Sequence, residues 1–78
     1  MEREFLERFT LSELILLSLS RRCMTLEELQ ERTGAEKNTL LVYLTRMYKR
    51  GIISRQWRKI AGIRVREYCL KYRDEILR

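Results

Sequence analysis

The sequence predicts a mainly helical domain closed by a β-hairpin, and three observations carry that expectation. Two Thr-x-x-Glu boxes, Thr10–Glu13 and Thr25–Glu28, each open a run with helical apolar spacing. Gly34 and Gly51 punctuate the runs that follow, as helix-ending glycines do. After Gly51 the apolar period shortens from about 3.6 to about two, the mark of extended chain. A chain of 78 residues allows one domain with a small core, taken here as residues 1–78.

Taken in order, residues 1–9 carry Phe5, Leu6 and Phe9 at i, i+1, i+4. This strip is either an arm or the leading turn of the first helix. Its large aromatics need cover, from the domain itself or from a partner subunit. The helix opened at Thr10 holds Leu14, Ile15, Leu17 and Leu19, apolar on nearly all sides, so a largely buried central helix is expected. Arg21 and Arg22 suit the negative end of its dipole. Met24 bridges to a short helix with Leu26 and Leu29 as its apolar side, stopped at Thr33-Gly34. A longer helix, Glu36 to Arg50, carries Leu40, Leu44 and Met47 in one stripe. Helix, Gly-containing turn, helix outlines a helix-turn-helix.

Ile52 to Arg58 then reads as a strand, Lys59 to Gly62 as a turn, and Ile63 to Leu70 as the return strand. On that return strand Arg64, Arg66, Tyr68 and Leu70 share one face, with Tyr68 and Leu70 as anchors. Residues 71–78 read as a short last helix with Tyr72, Ile76 and Leu77 apolar.

The net charge of +6 is unevenly placed: residues 1–36 sum to −3 and residues 37–78 to +9. That asymmetry implies a polyanion-binding face. Arg outnumbers Lys thirteen to four, and its planar fork matches phosphates and guanine edges. One Asn and two Gln among many ion-pairing residues hint at a thermophilic source. Cys23 and Cys69 stand without His or a CxxC pair, so no metal site is expected. They are read as small buried apolar residues, with a disulfide as the alternative. No signal peptide is read, and the longest apolar run, Leu14 to Leu17, is too short to span a membrane; a cytoplasmic protein is expected. With no His, nucleophile motif, Gly-rich phosphate loop or metal cluster, an enzyme is not expected, nor is a cofactor. The acids read as helix-surface ion pairs such as Glu4–Arg8 and Glu28–Arg32.

From Thr10 to Leu70 the chain resembles winged helix-turn-helix regulators of the MarR and ArsR type and the small winged-helix proteins of archaea and their viruses. The residues that carry the likeness are Leu26, Leu29, Gly34, Lys37-Asn38-Thr39-Leu40, Leu44, Met47 and Gly51-Ile52-Ile53. The resemblance implies sequence-specific binding of double-stranded DNA and transcriptional regulation. The recognition helix would offer Asn38, Val42, Thr45 and Lys49 on its outward face, flanked by Lys37, Thr39 and Arg46. The wing would offer Arg55, Arg58, Lys59, Arg64 and Arg66 to the minor groove or backbone. Leu41 and Val42 depart from the family pattern, which places polar residues there. They would touch thymine methyls or pack on a neighbour. Tyr43 is read as packing between helices. Trp57 is read as packing under the wing, with stacking on an unpaired base as the alternative.

A homodimer is expected, through Phe5, Leu6 and Phe9 at one end and Ile76 and Leu77 at the other. Two other functions compete: a protein-interaction module using Leu41, Val42 and Tyr43 as a docking patch, and an RNA- or single-strand-binding protein.

Overall fold

A computed structural model describes residues 9–71. Its elements are α1 (Leu11–Arg21), β1 (Met24–Thr25), α2 (Leu26–Thr33), α3 (Lys37–Lys49), β2 (Ile53–Ile60) and β3 (Ile63–Leu70). The expected N-terminal arm, apart from Phe9, the expected last helix, apart from Lys71, the Glu4–Arg8 pair, and Phe5, Leu6, Ile76 and Leu77 lie outside the described residues.

Both capping boxes form. Thr10 Oγ1 accepts from the Glu13 N–H, and the Glu13 carboxylate accepts from the Thr10 N–H at 3.0 Å. Thr25 and Glu28 repeat the arrangement at the start of α2. Hydrogen bonds from Thr10 hold the Glu13 carboxyl below its ordinary range. The Arg22 guanidinium, helped by the Thr25 backbone, does the same for Glu28. Glu28 therefore pairs with Arg22 rather than with Arg32 at the i, i+4 position. Gly34 closes α2 at φ 72°, its N–H donating to Gln30 O at 2.8 Å. An L side chain would be strained there.

The core gathers Ile15, Leu19, Met24, Leu29, Leu40, Leu44, Met47, Ile53 and Tyr68. The predicted stripe of α3 and the Tyr68 anchor are all in it. The first helix differs from expectation. Only Ile15 and Leu19 of α1 are fully buried, and Leu17 is exposed. Its apolar residues on the far side line an open groove of about 500 Å³ with Phe9, Leu16, Ile52 and Leu70.

The sheet has three strands in the order β1-β3-β2, all antiparallel, where the sequence pattern predicts two. β1 is two residues long, too short to display a period. The hairpin is also longer than expected. Its strands pair from Ile53↔Leu70 to Ile60↔Ile63, leaving only Ala61 and Gly62 in the turn, both at positive φ. A two-residue turn with both central residues left-handed matches the twist of the strands it joins.

Strand β1 decides the cysteines. Its register, Met24↔Tyr68, places Cys23 opposite Cys69. The two form a disulfide with a Cα–Cα distance of 4.4 Å, so they are not the free buried residues the sequence suggests. The bond ties the end of α1 to the central strand of the sheet.

Candidate nucleic-acid interface

Helix α3 buries Leu40, Leu44 and Met47 against the core and turns its other side outward. Asn38, Val42, Thr45 and Lys49 are all exposed, as are Lys37, Thr39 and Arg46. These seven residues thus lie on the solvent-exposed side of α3. Thirteen residues at about 1.5 Å each span about 20 Å, enough to cross a major groove. No acid occurs within Lys37–Lys49, and Arg46 and Lys49 sit in the last turn, where they face the negative helix end.

The hairpin has two chemically different faces. Pairing and alternation put Ile53, Arg55, Trp57 and Lys59 of β2 on one face with Arg64, Arg66, Tyr68 and Leu70 of β3. Ile53 and Tyr68 belong to the core, so this is the face that continues toward α3. It carries four cations and no carboxylate. Lys37 and Leu41 at the start of α3 line a recess with Arg64, Val65 and Arg66, and Glu27 of α2 lines it too. Tyr48 at the end of α3 lines another with Arg55, Gln56, Trp57 and Arg66. The predicted wing cations Arg55, Arg64 and Arg66 are therefore brought alongside α3, and Lys59 shares their face nearer the hairpin tip.

Arg58 does not. It stands on the opposite face, where it donates to Glu67 Oε2 at 2.7 Å. Glu67 is only 4% exposed, and Gln56 donates to its other oxygen at 3.1 Å. A buried carboxylate requires such partners, so Arg58 completes a structural network. Cys23, Cys69 and Glu67 lie close together on this side. In the structure the two sulfurs are bonded to each other and the carboxylate is held by Gln56 and Arg58.

Trp57 corrects a further expectation. It is 55% exposed rather than packed under the wing. The Arg64 and Arg66 guanidinium carbons lie over its ring, 4.8 and 4.7 Å from the centroid. Arg55 lies over the exposed ring of Tyr48 at 3.8 Å. The period-two spacing puts Trp57 on the cationic face of β2 but does not identify Arg64 and Arg66 as its partners, because they lie on the other strand. Nothing in the sequence links Tyr48 to Arg55, because that contact joins a helix to a strand. Tyr43 does pack against the core, and Leu41 is half-buried, leaving Val42 as the exposed member of that trio.

No helix among the described residues is long and apolar enough to cross a membrane. The family described as Sulfolobus plasmid regulatory protein matches residues 6–77. Among solved structures, the chain is similar to Stf76 from the Sulfolobus islandicus plasmid-virus pSSVx. Identity is 53%, covering 91% of this chain and 94% of that one, with a TM-score of 0.80. It is also similar to a PadR family transcription regulator from hypervirulent Clostridium difficile, at 18% identity over 86% of this chain and 77% of that one, with a TM-score of 0.76. At that identity the likeness concerns the fold, a winged helix-turn-helix. No curated protein matches the chain.

Proposed function

The chain belongs to the Sulfolobus plasmid regulatory protein family, and from that premise we propose that it regulates transcription by binding double-stranded DNA in a sequence-specific way. The family is a regulatory one, not an enzyme family. The observation that carries the reading is the cation-rich surface formed by α3 and the adjoining hairpin face, neither of which carries an acid of its own. In this reading α3 enters the major groove. Asn38 offers a donor and an acceptor for an adenine edge, Thr39, Val42 and Thr45 meet neighbouring bases, and Lys37, Arg46 and Lys49 reach phosphates. Arg55, Lys59, Arg64 and Arg66 follow the flanking backbone or minor groove. Arg58 is left to Glu67.

We further propose that the protein acts in the cytoplasm as a homodimer. Phe9 and Leu70, close to the two ends of the described residues, line the apolar groove beside α1. Phe5, Leu6, Ile76 and Leu77 would extend that apolar surface onto a second copy. Sedimentation equilibrium is expected to give a dimer, and a strict monomer at high concentration would contradict it.

Selection from a random DNA pool, followed by titration against the selected duplex, tests the main reading. A defined site is expected, with affinity falling steeply as salt rises. Asn38→Ala is expected to relax the preference at one base pair, by about 1–3 kcal/mol of discrimination. The exposed Trp57 ring favours single-strand binding as the second reading. Tighter binding of single strands or RNA than of the selected duplex would replace the first reading with that one.

A further inference from the structure

The helix-facing side of the hairpin carries no carboxylate of its own, and among the described residues its three arginines, Arg55, Arg64 and Arg66, form no ion pair, yet all three have defined partners. Those partners are two large aromatic rings that the fold leaves in water, Trp57 at 55% and Tyr48 at 42% exposure. An exposed indole on a small protein contributes little to the core. Here it lies beneath Arg64 and Arg66, and Tyr48 beneath Arg55. Tyr48 ends α3, whereas Arg55 begins the outward part of β2. The series Tyr48–Arg55, then Trp57 with Arg66 and Arg64, runs from the end of the recognition helix toward the hairpin tip.

We propose that Trp57 and Tyr48 are positioning residues: they hold Arg64, Arg66 and Arg55 extended and in order on the hairpin before any polyanion arrives. This rests on the duplex-binding reading above. The physical basis is entropic. A free arginine side chain must give up its rotamers when it grips a phosphate, a cost of about 0.5–1.5 kcal/mol, or roughly 2- to 13-fold in affinity for each side chain. A guanidinium stacked on a π face has already given them up, and it keeps its in-plane N–H donors free for phosphate oxygens. A carboxylate partner would consume those donors, as Glu67 does for Arg58 on the other face. Trp57 holds two arginines and Tyr48 one, so the two rings should differ in importance.

The test is a double-mutant cycle read by duplex affinity, using a selected duplex and thermal melts to confirm folding. Trp57→Ala is expected to weaken binding by roughly 5- to 150-fold, and Tyr48→Leu by roughly 2- to 13-fold. Trp57→Phe, which keeps a π face, should recover most of the loss. In an Arg64→Ala/Arg66→Ala background, Trp57→Ala should cause almost no further loss. NMR of the free protein supplies an independent readout. The side-chain protons of Arg64 and Arg66 should be shifted upfield by the indole ring current and return to ordinary values in Trp57→Ala. Full loss on Trp57→Ala in the arginine-free background would mean that the indole itself touches the DNA, and would overturn the proposal. Unshifted arginine protons in the wild type would overturn it too. No duplex binding by the wild type would instead bring down the functional reading, and this proposal with it.

Discussion

On the hairpin face turned toward α3, Arg55, Arg64 and Arg66 lie over the exposed rings of Tyr48 and Trp57. On the opposite face Arg58 is bound to Glu67, Gln56 supports the same carboxylate, and the Cys23–Cys69 disulfide stands beside them. The two faces are built from the same pair of strands, separated only by the alternation of side chains. One face pairs its arginine with a buried acid, the Arg58 side chain itself staying 60% exposed. The other lays its arginines over two exposed aromatic rings, with no ion pair among the described residues. The comparison teaches that cations on one hairpin differ in their partners, so a count of charges alone does not describe either face.

The sharpest separation of the two faces comes from the disulfide. Replacing both cysteines (Cys23→Ser with Cys69→Ser) reopens a link spanning 46 residues. Unfolding free energy is expected to fall by about 2–4 kcal/mol, measured by urea denaturation. Duplex affinity at 25 °C should stay within about twofold. A large loss of affinity in a folded double variant would show that the far face sets the geometry of the near one.

Glu67→Ala probes the same contrast with a smaller effect. It removes the acceptor of two side-chain hydrogen bonds in a buried position. Stability should drop by about 1–3 kcal/mol, while duplex binding is preserved or slightly improved because Arg58 is released. Reduced binding would place Glu67 and Arg58 in the interface.

The smallest effect belongs to the exposed counterpart of that pair, Arg22–Glu28. Glu28 has its carboxyl pKa lowered, chiefly by Arg22 and then by the Thr25 backbone. A carboxyl with a lower pKa in the folded state than in the unfolded chain favours folding above its unfolded value. That contribution is lost as pH falls from about 4.5 through the folded value. Thermal melts should therefore show a modest decline below about pH 4.5. Glu28→Gln should flatten part of it, and an unchanged acid profile in that variant would contradict the assignment.

Much of this architecture is legible in the sequence. The capping boxes, the Leu40–Leu44–Met47 stripe and the change of period after Gly51 are local patterns, so the three helices and the hairpin can be read directly. Exposure of the recognition face follows from the same helical spacing. What escapes depends on residues distant in sequence. Strand β1 has two residues and exists only because β3 pairs with it. The disulfide follows from that pairing. The role of Arg58 depends on which face of β2 meets α3, and the tilt of a hairpin is not written in its alternation. Trp57 departs from expectation because burial is the usual fate of a tryptophan. The cross-strand cations stacked on its ring read, in a sequence, only as charges.

The most direct measurement is the salt dependence of duplex affinity for three proteins: wild type, Arg64→Ala/Arg66→Ala, and Arg58→Ala. The slope of log K against log salt should be shallower by about 1.8 in the double variant, from about 0.9 for each phosphate no longer neutralised. In Arg58→Ala it should match the wild type. A slope that falls as much per arginine in Arg58→Ala as in the double variant would contradict the account, because the two faces of the hairpin would then meet the polyanion alike.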